Sequence, residues 1–121
     1  MWLVTKIGFF NIIQYDEDKA DDLLTIKARS KEDLLNTQKY LPDIVEIEES
    51  SEADYRFRLK APKLAVAGMI AALVEGIDYR LTKPSISKSF PERARLYFNV
   101  WDTLYHIQEI DVTKERLRSS S

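Results

Sequence analysis

Arg56, Arg58 and Lys60 alternate with Tyr55, Phe57 and Leu59. A period of two is how a β-strand sends side chains to opposite faces, so residues 55–60 predict three cations on one face and an apolar strip on the other. Lys27 and Arg29, in an earlier β-rich run, can join them from a neighbouring strand. Cations grouped on a sheet hold phosphate, and aromatic rings stack on bases, which together would bind RNA or a nucleotide. Two features oppose that use. The alternation sends Tyr55 and Phe57 away from the cations, and Glu46, Glu48 and Glu49 could pair with them across strands.

Asp54 and Asp78 each precede a tyrosine and an arginine, as Asp54-Tyr55-Arg56 and Asp78-Tyr79-Arg80. Two carboxylates that meet in space can divide acid and base roles, so Asp54, Tyr55, Asp78, Tyr79 and Lys83 form a secondary candidate site. The ordinary role of such acids is turn capping and arginine pairing. His106 is the single histidine. It has the right pKa for a base, but no serine or acid is set with it in a known motif, and it reads as a helix-surface residue. No catalytic residue is assigned. Asp16, Glu17, Asp18, Asp21 and Asp22 crowd one loop with oxygen ligands, yet lack the spacing and central glycine of a calcium loop. With one histidine and no cysteine, no metal site is expected. Gly8, Gly68 and Gly76 are too dispersed for a phosphate loop or dinucleotide fingerprint, so no cofactor is expected.

The bulk properties bound what can carry these residues. The chain has 121 residues, 45% hydrophobic and 31% charged, a globular balance at one-domain length. The absence of cysteine excludes disulfides and thiolate chemistry. A net charge of −2 leaves room for a local basic patch but not for a globally basic nucleic-acid or membrane binder. The apolar run over residues 64–74 is too short to span a bilayer, and the first residues carry no basic stretch before their apolar ones, so the expected setting is the cytoplasm.

The elements that must position the candidates follow from periodicity and punctuation. Residues 2–15 are β-rich with a bend or bulge at Gly8, residues 16–22 form an acidic loop, and residues 23–28 return as a strand. Ser30 is placed to cap a helix, with Asp33 three residues on and Pro42 beyond its end. Residues 44–47 and 55–60 read as strands, and a helix runs from Pro62 to Gly76. A short strand over 77–81, a loop over 83–89 and a long helix over 91–110 follow. The order β-β-α-β-β-α-β-α contains β-α-β-β-α-β, so the expected class is α+β, a ferredoxin-like antiparallel sheet extended by an N-terminal strand and a C-terminal helix. Residues 1–112 make the single domain, and residues 113–121 are a polar tail expected to fray.

The last helix is apolar on more than one side. Positions 97, 101, 104 and 108 make one stripe, and 96, 100, 103 and 107 another. If Tyr97, Trp101, Leu104 and Tyr105 cover the core, then Leu96, Phe98, Val100 and Ile107 require other cover. Trp2 and Phe10 add to that surface, so Trp2, Phe10, Leu96, Phe98 and Val100 are the expected interface of a homo-oligomer, most simply a two-fold dimer.

The opening Met1-Trp2-Leu3-Val4-Thr5 with Gly8-Phe9-Phe10, then Thr25-Ile26-Lys27-Ala28-Arg29, Ala53-Asp54-Tyr55-Arg56-Phe57-Arg58, Gly76-Ile77-Asp78-Tyr79 and Leu96-Tyr97 through Val100-Trp101 to Leu104-Tyr105 resemble a group of small bacterial and phage-borne proteins of unassigned function. In that group an asparagine-phenylalanine-lysine run follows the second Asp-Tyr. Here the run is Arg80-Leu81-Thr82-Lys83, and Lys83 alone matches. The resemblance implies a shared fold and carries no activity. The residues point to a non-catalytic binding or regulatory protein working through protein contacts, as an accessory factor of phage or host. The alternatives are an RNA or nucleotide binder using the basic strand face, and a small carboxylate-dependent enzyme.

Overall fold

Thr5 and Gly8 are paired, so the chain reverses through Lys6 and Ile7 and the β-rich opening is a hairpin, not one bent strand. Its arms are β1 (Trp2–Thr5) and β2 (Gly8–Ile13). Gly8 has φ +152°, a backbone state that L side chains rarely adopt. A Cβ there would lie 2.5 Å from Asp33 Cγ, so the position has neither conformational nor steric room for a side chain.

The computed structural model describes residues 1–77 and 91–120. After the hairpin come a 3-10 turn (Asp16–Asp18), β3 (Leu23–Ala28), α1 (Lys31–Thr37), a second 3-10 turn (Gln38–Tyr40), β4 (Glu48–Glu49), β5 (Phe57–Pro62), α2 (Lys63–Glu75) and α3 (Pro91–Ser120). Among the described residues this is an α+β arrangement with one five-stranded antiparallel sheet in the order β1-β2-β3-β5-β4. The chain forms two compact units, Met1–Ser85 and Ile86–Ser121.

Residues directly opposite in neighbouring strands share a face. Phe10, Ile12, Ile26, Ala28, Leu59 and Ala61 therefore line one side of the sheet, and all are buried. Leu34 of α1 and Val66, Met69 and Leu73 of α2 close that side. The spacing of the α2 residues, 66, 69 and 73, is one helical stripe. The core is thus made by the sheet, α1 and α2.

Several expected elements differ. Residues 44–47 form no strand. The Gln38 side chain donates from Nε2 to the Val45 carbonyl at 3.1 Å and accepts from the Val45 N–H at 3.0 Å, so a side-chain amide takes the place of a strand partner. The short strand falls instead on Glu48–Glu49. Ser30 stands at the start of α1 in extended conformation but makes no side-chain cap. Asp33 accepts the Phe9 N–H at 3.1 Å, so the carboxylate expected to complete a capping box clamps the hairpin. The last helix does not stop near residue 110. It continues to Ser120, through residues expected to fray. The expected strand over 77–81, beyond Ile77, lies outside the described residues.

Candidate nucleic-acid interface

The face of the sheet opposite the core carries the charged and aromatic residues. Trp2 lies opposite Asn11, Asn11 opposite Lys27, Lys27 opposite Arg58, and Arg58 opposite Glu48, a row across all five strands. Val4 and Phe9 form the next pair on one side, and Ile13, Thr25 and Lys60 the row on the other. Trp2 is 69% exposed. Its ring meets Phe9 edge to face with centroids 5.9 Å apart, and Phe9 lies 6.4 Å from Tyr55. The Arg29 guanidinium sits 4.6 Å from the centroid of the Tyr55 ring.

This corrects the expectation that aromatics and cations part company. The alternation over residues 55–60 holds only where there is a strand, and β5 begins at Phe57. Phe57 and Leu59 do face the core side. Tyr55, just before the strand, packs with Phe9 and Arg29 instead. Trp2 and Phe9 reach the cationic face because the hairpin register sends them there.

Tyr15 sits among cations. Lys27 Nζ lies 5.3 Å and Lys60 Nζ 5.8 Å from its ring centroid, and Arg58 Nη1 donates to its hydroxyl at 3.4 Å. Hydrogen bonding from Lys27 foremost, with the charges of Lys27 and Arg58, holds the phenol below its ordinary pKa, against an upward push from desolvation. The ionised phenol is favoured by the fold, so its contribution to stability is present above the ordinary tyrosine pKa of about 10 and is lost as pH falls through the lowered native value. A phenolate absorbance titration should therefore show an early step that Tyr15→Phe removes and Lys27→Met moves upward. A first step that survives Tyr15→Phe would contradict this placement.

The five expected patch residues do not behave alike. Arg56 is turned to the sheet edge, where its Nε lies 2.7 Å from Glu49 Oε1 and its guanidinium stands over Phe57. Lys60 pairs with Asp18 at 2.9 Å, and that hydrogen bond raises the lysine pKa. These two are matched by acids, one of them the glutamate expected to neutralise the patch. Lys27, Arg29 and Arg58 form no ion pair among the described residues; Arg58 and Glu48 lie opposite in register yet do not pair. Among the described residues, the Nε of Arg58 and the hydroxyl of Thr25 are buried and have no hydrogen-bond partner.

The other candidates scatter. Asp54 is exposed, while Asp78, Tyr79 and Lys83 lie outside the described residues. His106 lies exposed on α3, 2.8 Å from Glu109 Oε2 one turn away. Phe10 is fully buried in the core, so it is not a surface residue as expected; the hairpin turns it inward while Phe9 faces outward. Trp2, Leu96, Phe98 and Val100 are exposed, and so are Trp101, Leu104 and Tyr105, which were expected to cover the core. Sequence reasoning missed Tyr15 and Phe9 as members of the charged face. Their signal was present in the even spacing of Phe9, Asn11 and Ile13, which becomes informative once Gly8 is read as the start of a strand.

Among the described residues no cluster of three metal-ligating side chains occurs, and no helix is long and apolar enough to cross a membrane. No protein-family model, curated protein or solved structure matches this chain.

Proposed function

We propose that this is a binding protein whose aromatic and cationic sheet face takes single-stranded nucleic acid, in a cytoplasmic setting. The observation that carries the proposal is the presence on one face of exposed Trp2 and neighbouring Phe9 with Lys27, Arg29 and Arg58, three cations without acid partners among the described residues. Rings and guanidinium planes stack on bases of any sequence, and the cations contact phosphate. Among the described residues, Asp54 stands exposed without an ion pair and His106 is occupied with Glu109.

Few free cations mean a shallow salt dependence. Three phosphate contacts on a single strand give a slope of log K against log salt of about −2. Fluorescence anisotropy of a labelled oligonucleotide of about eight residues, repeated across a salt series, measures it. Lys27→Gln should flatten the slope by roughly 0.7. Trp2→Ala should weaken binding by about 5- to 150-fold, the loss of one stacked base, with the slope unchanged. Absence of binding at low salt would remove the proposal.

A ferredoxin-like plan for the sheet unit belongs to the same reading. The support is that β5 inserts between β3 and β4, as the third strand of such a sheet does between the first and second. The edge of β3 that a fourth strand would take holds β2. A second reading, contact with another protein chain and most simply with a second copy, is favoured by α3, where Leu96, Phe98, Val100, Trp101, Leu104 and Ile107 are all exposed.

A further inference from the structure

We propose that α3 pairs with α3 of a second copy of this chain as a parallel two-stranded coiled coil. This deepens the second reading above, contact through α3, and rests on it. Because α3 runs 30 residues to Ser120, the stripe at 96, 100, 103 and 107 continues through Ile110, Lys114 and Leu117. The spacings alternate four and three without a break over about three heptads, roughly 33 Å of helix.

The residues fit the two kinds of core position in a dimer. Val100, Ile107 and Lys114 occupy the a positions, and Leu96, Thr103, Ile110 and Leu117 the d positions. Val100 and Ile107 at a with Leu96 and Leu117 at d follow the pattern that favours two parallel strands, Ile110 at d departs from it, and the single lysine at a fixes register and strand number at some loss of stability. The five aliphatic members are all exposed. The polar d residue is already accommodated, since Thr103 Oγ1 donates to the Asn99 carbonyl at 2.9 Å and leaves its methyl group for the seam. Parallel pairing also sets His106, at a g position, beside Asp111 at the following e position of the other helix, opposite in sign when the histidine is protonated.

The seam differs from the second apolar side of α3. Phe98, Trp101, Tyr105 and Val112 lie at the outer f and b positions, with the Trp101 and Tyr105 rings 6.2 Å apart. A self-paired seam uses one stripe of α3 and not that aromatic side.

The full chain tests it, because it has no cysteine of its own. Light scattering over a dilution series should give a dimer that Val100→Glu with Ile107→Glu converts to a monomer of unchanged sheet signal. Lys114→Ile should tighten the dimer by about tenfold, the lysine being a specificity residue at a cost in stability. Leu96→Cys and Leu117→Cys, made separately, should each oxidise to a disulfide-linked dimer. Only an in-register parallel pair allows both, since fully overlapped antiparallel helices hold each pair about 30 Å apart, and sliding them to join one pair separates the other further. A dimer that dissociates in the glutamate variant but cross-links at only one site keeps self-contact through α3 and overturns the parallel register. A trimer overturns the proposal. A monomer at every concentration overturns both the proposal and self-association.

Discussion

Phe10→Ala is expected to cost the sheet unit about 4 kcal/mol, a large share of the 5–15 kcal/mol that holds a domain of this size. Phe10 has no exposed surface and sits in the cluster with Ile26, Leu34, Leu59 and Met69. Removing the ring forfeits its transfer free energy and leaves a cavity that strands on either side cannot close without breaking pairing. Urea denaturation measures the loss. A core residue lowers the midpoint and leaves the oligomeric state of the folded fraction alone. An interface residue would do the reverse, so a stable Phe10→Ala variant with altered assembly would contradict the placement.

Gly8→Ala is expected to cost on the order of 3 kcal/mol, from backbone strain at positive φ together with overpacking. The added methyl would meet Asp33 at its Cβ and Cγ, which are 2.7 and 2.5 Å from the ideal position. Asp33 is 2% exposed and holds the Phe9 N–H, so moving it gives up the clamp between hairpin and α1. Gly68→Ala is the matched control. Its Cβ meets nothing within 4 Å and it lies inside α2, so the same substitution should stabilise by about 0.5–1 kcal/mol. Thermal unfolding of the two variants should move in opposite directions; a Gly8→Ala variant stabilised as much as Gly68→Ala would mean that only chain entropy acts at Gly8 and that neither backbone strain nor the Asp33 contact restricts it.

The parts of the fold that were legible in the sequence are those where local pattern and tertiary role agree. Phe57, Leu59 and Ala61 alternate with Arg58 and Lys60, and the sheet uses that alternation unchanged. The bounds of α2 were legible from Pro62 and Gly76, but its buried stripe, Val66, Met69 and Leu73, was not, because apolar residues such as Leu64 and Val74 lie on its exposed sides as well. The misreadings come from long-range chemistry. Ile44, Val45 and Ile47 have strand composition, but the Gln38 amide claims the Val45 backbone, and no spacing rule announces that bond. The reversal at Lys6-Ile7 lacks ordinary turn residues, so Gly8 passed for a bulge inside one strand. That choice decided which residues face outward, because a one-residue shift moves every side chain to the opposite face. It hid Phe9 from the cationic face and sent Phe10 to the surface. The extra turns of α3 were hidden by polarity, although Lys114, Glu115, Arg116, Leu117 and Arg118 are all good helix formers.

The patch itself was half legible. Lys27 and Arg58 meet as expected, being directly opposite in register. The fates of Arg56 and Lys60 depend on which acid each can reach, Glu49 at the edge and Asp18 across 42 residues of sequence.

Amide chemical-shift mapping of the isotopically labelled full chain, titrated with a short unstructured oligonucleotide at low salt, tests the binding face most directly. Perturbations are expected to concentrate on residues 2–4, 9–15, 25–29 and 58–60, and the Trp2 indole is expected to shift with them. Perturbations confined to α2 or α3, or none at saturating oligonucleotide, would contradict this binding face.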